Sequence, residues 1–446
     1  MIKVITYGTF DLLHYGHINL LKAAKALGDY LIVGVTSENF DRARGKLLVS
    51  QSLAERMEAV KATGLVDEVI VEEYEGQKID DIKRYGVDIF TVGSDWRGKF
   101  DYLSSFCRVV YLSRTEGVSS TDLRSKGHTL SIGVVGVSPS LRKFIEESRY
   151  TSGIEVTDLL PLTDGYELDG IDPSSIRIAE DYEALLSRVN AVYVNASPSE
   201  RFFYSEKALK KGIHVLSEPP VALTARDAEA LYSLADEKGV IFCEGLKTAY
   251  SLAFQRMVLL LRGGVIGKIK SVEATCTSLA KARSPWLYDK EKGGGALVEW
   301  GAYPLYAAFQ ILGREFCDCR FVSTKNEEGV DLYTKLWMLY PDAEATLKTG
   351  IGVKSEGSLV ISGTKGYIYV PAPWWKTDYF EVRKEDIRDN RKHFYQFEGE
   401  GIRYELAEFV KSIRQNTRTA LLSREDSIAI AACVERFLKD GSTYLI

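Results

Sequence analysis

What this chain has little of narrows the field before any motif is considered. It has no excess of positive charge: 57 Lys and Arg stand against 62 Asp and Glu in 446 residues, for a formal net charge of -5. Proteins that hold nucleic acid need a broad basic footprint, so no nucleic-acid partner is expected. No uninterrupted apolar run reaches membrane-spanning length, and the opening MIKVITYG lacks an apolar core of signal-peptide length behind a basic start. The expected location is the cytoplasm, with no membrane partner. Cysteines are few: Cys107, Cys243, Cys276, Cys317, Cys319 and Cys433. The one close pair, Cys317 and Cys319, forms a C-x-C one residue too tight for a zinc knuckle, so ordinary reduced thiols are expected. There is neither an internal repeat nor a low-complexity tract. What remains, 45% hydrophobic and 27% charged, is the composition of a soluble globular chain. At roughly 100–200 residues per domain, its length implies a few domains.

The opening stretch alternates short apolar strands with helices. KVITYG reads as a strand, His17 to Leu27 carries Leu20, Leu21, Ala24 and Leu27 at helical spacing, and YLIVGVT is a second strand. A further cycle follows, with helix 52–64, strand VDEVIV, helix 77–85, and strands VDIFTVG and RVVYLS, which predicts a parallel α/β sheet. The polar, glycine-bearing RSKGHTLS at 124–131 reads as a linker. Beyond it the alternation restarts with LSIGVVGVS, GIEVTDLL, NAVYVNASP, GIHVLSEPP and GVIFCEG, separated by helices, and predicts a second parallel domain. After about 247 come longer strands, among them SVEATCTSL, TKLWMLY, EATLKTGI and GSLVISGTKGYIYV, which fit a mostly antiparallel sheet. Two helices with strong apolar stripes, 402–415 and 424–439, are expected to pack back on the second or third section.

The first chemical constellation lies where strand one ends. Gly8-Thr9-Phe10-Asp11 is followed by His14-Tyr15-Gly16-His17, which places two imidazoles three residues apart at the hand-over from a strand to a helix N-terminus. Such a place binds anions, because phosphates settle outside the carboxyl ends of parallel strands against free backbone N–H groups. Gly16 lets the backbone come close. Two imidazoles can donate hydrogen bonds to phosphoryl oxygens whose charge rises in the transition state, as in-line displacement of pyrophosphate requires. Read alone, H-x-G-H is equally two polar residues at a helix start. A second polar segment, Arg114 to Thr121, supplies an arginine suited to bidentate phosphate binding and hydroxyls at an expected helix start.

On YGTFDLLHYGH at 7–17, VGSDWRGKFD at 92–101 and VVYLSRTEGVSST at 109–121, residues 1–127 resemble the glycerol-3-phosphate cytidylyltransferase family of HxGH nucleotidyltransferases. The resemblance implies CTP and a small polyol phosphate as substrates, with Mg2+ helping to carry the triphosphate. It implies catalytic roles for His14, His17 and Arg114, with Gly8, Thr9, Phe10, Asp11, Gly16, Glu116, Ser119, Ser120 and Thr121 in the CTP site. Asp95 and Trp96 would line the ribose and base, and Lys46 would reach a substrate phosphate. Where that family often shows GDDW, this chain has Gly93-Ser94-Asp95-Trp96. Adenylyl transfer, or an acceptor such as ethanolamine phosphate, is the alternative within the superfamily; the short length and RTEGVSST favour CTP. Lys46, beside Arg44, also reads as solvated loop charge. Arg56, in the next helix, could face the substrate phosphate or point outward.

The second constellation begins at Gly133-Val134-Val135-Gly136-Val137-Ser138-Pro139-Ser140, where a dinucleotide-binding fold carries G-x-G-x-x-G. Only Gly136 fits, and Ser138 and Leu141 take the other glycine places, where side chains crowd the pyrophosphate and the helix–strand contact. On IAEDYEALLSRVNAVYVNASPSE, ALKKGIHVLSEPPVALT, GVIGKIKSV and GGGALVEWGAYPLYAA, residues 131–441 resemble the Gfo/Idh/MocA oxidoreductases, which pair a Rossmann domain with an open antiparallel sheet. That resemblance implies NAD(H) or NADP(H), with Gly136, Ser138, Asp158, Ser197 and Glu218 at the cofactor. Asp158 as the acidic residue about 20 positions past the turn would favour NAD, and Asp164 is its rival. The family's Glu-Lys-Pro is here Glu218-Pro219-Pro220, and its Asp and His are Glu299 and Tyr303. Tyr303 could supply the proton that hydride transfer needs, with Glu299 orienting it or the substrate. Lys247 or Lys281 could replace the missing ammonium, and either also reads as a surface lysine.

The expected architecture is α/β: an HxGH Rossmann-like nucleotidyltransferase domain at 1–127, a dinucleotide-binding Rossmann domain at 131–246, and an α+β open-sheet domain at 247–446. The expected protein is a homo-oligomeric bifunctional enzyme of cell-surface polysaccharide synthesis, making a CDP-polyol and carrying an oxidoreductase for the same pathway. Its alternative is an active cytidylyltransferase with a catalytically silent binding or oligomerisation module.

Overall fold

A computed structural model describes residues 1–13, 15–43, 49, 51–74, 76–113, 129–163, 176–279, 284, 286–395, 397–439 and 444–445, with the backbone alone at Tyr15, Asn39, Arg42, Ala43, Asp95, Tyr444 and Leu445. The chain forms two compact units, Met1–Thr129 and Leu130–Ile446. Among the described residues no helix is long and apolar enough to cross a membrane.

In the first unit five strands pair in parallel: β1 (Lys3–Gly8), β2 (Tyr30–Thr36), β3 (Glu68–Glu72), β4 (Ile89–Gly93) and β5 (Arg108–Leu112), in the order β3-β2-β1-β4-β5. A strand such as YLIVGVT is apolar on both faces because helices cover both sides of a parallel sheet. Those helices are Tyr15–Lys25, Glu38–Ala43, Leu53–Ala62 and Gln77–Tyr85. The third starts at a capping box, Ser52 accepting from Glu55 N while the Glu55 carboxylate reaches back to Ser52 N. The short helix Glu38–Ala43 is not visible in the sequence pattern. Strand order reverses at β1, so its carboxyl end faces the crevice where such sheets bind ligands.

The second unit opens with a six-stranded parallel sheet: β6 (Leu130–Val135), β7 (Ile154–Leu160), β8 (Arg177–Ile178), β9 (Ala191–Val194), β10 (His214–Ser217) and β11 (Phe242–Glu244), ordered β11-β10-β9-β6-β7-β8. A nine-stranded sheet follows. Its strands are β12 (Ile269–Ser278), β13 (Asp318–Lys325), β14 (Asp331–Leu339), β15 (Glu344–Ile351), β16 (Leu359–Gly363), β17 (Gly366–Val370), β18 (Tyr379–Arg383), β19 (Arg391–Phe394) and β20 (Tyr444–Leu445). The sheet is antiparallel except that β12 joins β15, and β13 joins β20, in parallel. The first parallel join arises because helices Ala296–Trp300 and Ala302–Leu312 carry the chain away from β12 before β13 to β15 meander back onto it.

GSLVISGTKGYIYV, read from the sequence as one extended run, is a hairpin of β16 and β17 closed at Thr364-Lys365. Gly366 makes that turn possible: it sits at φ +132, and an added Cβ would lie 2.3 Å from the Arg383 carbonyl oxygen. Helices Ile402–Gln415 and Arg424–Lys439 return to the parallel sheet. Ile402, Leu406 and Phe409 join the core of Ile132, Val134 and Phe144, and Ala431 packs with Leu231 and Ala235. The Arg403 guanidinium anchors the first of them to Glu147 at 2.7 Å.

Candidate functional site

The loop leaving β1 holds an unusual backbone. Phe10 and Leu12 have φ of 52 and 47, left-handed values that cost non-glycine residues about 1–3 kcal/mol each. The turn buries the Phe10 ring, which meets the half-buried imidazole of His17 edge-on with centroids 5.4 Å apart. His17 lies in the first turn of helix Tyr15–Lys25, so the imidazole is fixed between the loop and a helix start. Asp11 is buried and accepts from Gln51 N at 3.0 Å, while Leu12 N donates to Gln51 Oε1 at 2.8 Å. Gly8 leaves room for the same ring, since a Cβ there would stand 3.0 Å from it.

Beneath this loop lies a buried brace. The hydroxyls of Thr9 and Thr36 donate to one Asp41 oxygen at 2.9 and 2.6 Å. Arg56, fully buried, donates from Nη1 to the Thr9 carbonyl (2.8 Å), the Thr36 carbonyl (2.9 Å) and Asp41 (3.3 Å), and from Nε to the Gln51 carbonyl (3.1 Å). Arg56 takes neither expected orientation: it is turned under the loop, and three of its four described bonds go to main-chain carbonyls, which makes it a brace in place of a substrate ligand. It ties the exits of β1 and β2 together. Asp41, which completes the brace, carried no sequence signal.

Trp96 closes the turn Ser94–Trp96 after β4, packed on Phe100 at 5.9 Å with the Lys99 ammonium 4.8 Å from its ring centre. His14, Lys46, Arg114, Glu116, Ser119, Ser120 and Thr121 lie outside the described residues, as does the Asp95 side chain. The described half of the site is an anion-binding strand exit with one imidazole at a helix start, suited to phosphoryl chemistry.

In the second unit a cavity of about 290 Å³ opens at the exits of the parallel strands. Gly136 turns the chain out of β6 at φ +94, and a Cβ there would lie 2.4 Å from the Asn195 carbonyl oxygen, so only glycine fits. Ser138 caps helix Pro139–Ser148 by accepting from Ser140 N at 3.2 Å, and Pro139 contributes no N–H. This helix start therefore offers few main-chain donors. Side chains stand in their place: the Ser138 and Ser140 hydroxyls donate to Asn195 Oδ1 at 2.9 and 3.1 Å, and all three residues line the cavity. Asn195 Nδ2 is buried there without a hydrogen-bond partner among the described residues. Leu141, in the third glycine's place, is a core residue beside Phe144 and Val134 and does not crowd the turn. The residues fit a dinucleotide, with an altered donor set.

Two expected cofactor residues are placed otherwise. Asp158 lies inside β7, two residues short of its exit, and its buried carboxylate accepts Arg188 Nε at 2.8 Å; it is a structural ion pair, not a ribose ligand. The Ser197 hydroxyl donates to Glu200 within its own turn and is not among the cavity-lining residues; Asn195 takes that position. Asp164 and Lys281 lie outside the described residues.

The cavity's inner wall carries Glu218, Lys247, Glu299, Tyr303 and Glu405. Tyr193 OH donates to Glu218. Arg201, buried and unforeseen, clamps the exits of β9 and β10 by donating to the carbonyls of Ala196 (3.1 Å), Pro219 (2.6 Å) and Pro220 (3.2 Å). Burial, reinforced by the charges of Glu218 and Glu405, pushes the Tyr303 phenol well above its ordinary range, so it keeps its proton. Burial and the Glu218 charge likewise raise the Glu405 carboxyl. Burial and the neighbouring Lys376 lower the Lys247 ammonium. A phenol that keeps its proton can serve as a proton partner at this cavity.

Together these sites define a nucleotidyltransferase joined to a NAD(P)-type oxidoreductase fold. Comparison with known proteins agrees. A family profile described as Cytidylyltransferase-like matches residues 5–126. One described as Oxidoreductase family, NAD-binding Rossmann fold, matches 130–246, and a GFO/IDH/MocA C-terminal domain matches 254–369. The chain is 49% identical over 124 residues to glycerol-3-phosphate cytidylyltransferase of Bacillus spizizenii, covering 28% of this chain and 95% of that protein. Over 197 residues it is 30% identical to dTDP-3,4-didehydro-2,6-dideoxy-alpha-D-glucose 3-reductase of Streptomyces violaceoruber, covering 42% of this chain and 58% of the relative. A crystal structure of a 3-ketoreductase from Actinomadura kijaniata with NADP and TDP-benzene shares the second unit's fold, with TM-score 0.64 and 22% identity over 72% of this chain and 99% of that one. The chain belongs, through its first unit, to the glycerol-3-phosphate cytidylyltransferase family, here fused to Gfo/Idh/MocA oxidoreductase domains.

Proposed function

We propose that the first unit transfers CMP from CTP to a small polyol phosphate of the glycerol-3-phosphate kind, releasing pyrophosphate with Mg2+. The observation that carries this is the 49% identity reaching across 95% of the Bacillus spizizenii enzyme. His14 and His17 donate to the phosphoryl oxygens as charge builds on them, Arg114 to Thr121 hold the nucleotide, and the Arg56 brace keeps the loop after β1 in its strained shape. We propose further that the second unit reduces a ketose phosphate to the polyol phosphate that the first unit activates, for cell-surface polysaccharide synthesis in the cytoplasm, in a homo-oligomer.

NAD(P)H, when bound, supplies a hydride to the carbonyl carbon. Asn195 Nδ2, set in place by the Ser138 and Ser140 hydroxyls, donates to its pyrophosphate, and Tyr303 gives its proton to the carbonyl oxygen, burial favouring the protonated phenol beforehand. With Asp158 committed to Arg188, nothing described at the β7 exit argues against a 2′-phosphate, so NADP(H) is accepted alongside NAD(H). The replacement of the family's lysine by Pro219 favours the second reading, a catalytically silent module. Two assays separate these: pyrophosphate release from CTP with glycerol 3-phosphate, and NAD(P)H oxidation by short ketose phosphates. ATP used in preference to CTP would sink the first assignment; coenzyme that binds without any turnover would leave the silent module.

A further inference from the structure

Three ammonium groups converge on one carboxylate at the second unit's cavity. Glu400 Oε2 lies 2.6 Å from Lys376 Nζ, 3.1 Å from Lys143 Nζ and 3.9 Å from Lys247 Nζ. They arrive from separate parts of the fold. Lys143 stands on the helix behind the Gly136 turn, Lys247 follows β11, Lys376 ends the turn Trp374–Lys376 before β18, and Glu400 precedes helix Ile402–Gln415. The like charges repel one another, and Glu400, with the Glu218 and Glu405 carboxyls that also act on Lys247, is what draws them together. The ammonium groups remain within reach of a ligand, because the lysine side chains are 50%, 16% and 26% exposed at 143, 247 and 376, and Lys143 and Lys247 line the cavity. Burial alone would raise the Glu400 carboxyl, but hydrogen bonds from Lys376 and Lys143 outweigh it and hold the group at about 2, so the carboxylate stays charged and organises the lysines. Trp300, which also lines the cavity, packs on Trp375 with ring centres 5.6 Å apart.

We propose that Lys143, Lys247 and Lys376 bind the phosphate of the second unit's substrate, which makes that substrate a short phosphorylated ketose or polyol and not a neutral sugar. A phosphomonoester carries about −1.5 to −2 at pH 7 and three acceptor oxygens, which convergent ammonium groups can meet one by one. The assignment rests on reading the second unit as the reductase that supplies the first unit's acceptor. The coenzyme's own pyrophosphate is the other source of such an anion, and the NADPH arm of the titration tells the two apart.

The test is calorimetric titration of the full chain with dihydroxyacetone phosphate, dihydroxyacetone, inorganic phosphate and NADPH, in the parent and in a Lys143→Gln, Lys376→Gln variant. The difference between the two proteins isolates this site from phosphate bound by the first unit. Binding of dihydroxyacetone phosphate at least 10-fold tighter than dihydroxyacetone, competed by inorganic phosphate and weakened at least 10-fold in the variant, with NADPH affinity held within about threefold, is the expected result. Equal binding of the phosphorylated and neutral ketose overturns the proposal. So does a loss confined to NADPH, which would hand the lysines to the coenzyme. Phosphate-dependent binding without NADPH oxidation upholds the anion site and rejects the reductase reading instead. If the double variant does not fold, Lys143→Gln alone, at a half-exposed side chain, puts the same question.

Discussion

Replacing Arg56 by methionine separates two roles that one buried arginine can have. The guanidinium makes four described hydrogen bonds, three of them to the carbonyls of Thr9, Thr36 and Gln51, and pairs with Asp41 where neither side chain meets solvent. Methionine fills much of the volume but supplies no donor, so Asp41 loses the guanidinium of this buried pair. Breaking one side of a buried pair costs about 3–5 kcal/mol. For a unit of this size each kcal/mol lowers the melting temperature by roughly 3–5 °C, so a fall of roughly 10–20 °C follows. Scanning calorimetry of the full chain reads this in the transition that CTP shifts upward. Asp41→Asn combined with Arg56→Met should recover part of the loss, because no charge is then stranded. A fall equivalent to less than about 1 kcal/mol, together with a KM for the polyol phosphate raised more than about 10-fold, would refute the brace and make Arg56 a substrate ligand.

His17→Ala should slow pyrophosphate release by roughly 10²–10³, the usual effect of losing one transition-state donor, and a loss below about threefold would make the imidazole structural. Tyr303→Phe should lower NADPH oxidation by roughly 10²–10⁴ while NADPH binding, read by fluorescence titration, stays unchanged; unchanged turnover removes Tyr303 from proton transfer. Glu244 is buried, and burial raises its carboxyl to about 7, so its contribution is full below the unfolded value near 4.3 and is lost as pH rises through about 7. Glu244→Gln should therefore match the parent near pH 4 and exceed it by about 3 kcal/mol at pH 8 in denaturant melts, and a pH-independent difference would show that the carboxyl is not raised.

Elements with long, clean periodicity were legible in the sequence. Helices Ile402–Gln415 and Arg424–Lys439 follow from their apolar stripes, and the strand exits carrying His17 and Gly136 follow from motifs that hold their meaning locally. The residues that hold those exits in place were not legible. Asp41, Asn195 and Arg201 are polar side chains of ordinary surface type, and only the fold shows that they are buried and bonded to groups brought from elsewhere in the chain, such as Thr9 for Asp41 and Pro219 for Arg201. Asp158 failed in the opposite sense: its distance from the turn suited a ribose ligand, but strand alternation and Arg188 decide where the carboxylate goes. The hairpin at Thr364-Lys365 was hidden because strand-forming residues run up to it on both sides. The lysines around Glu400 come from segments more than 100 residues apart, so no local pattern reports them.

The proline after Ser138 has an evolutionary consequence. In most dinucleotide-binding turns the phosphate is gripped by main-chain N–H groups, which no side-chain substitution can delete, so affinity is largely built into the backbone. Here Pro139 removes one such group and the Ser138 cap occupies another, and the turn presents instead an amide held by two hydroxyls. Each of these can be altered by a single codon change. What this turn offers an anion is thereby open to change one side chain at a time, while the sheet beneath it keeps its shape.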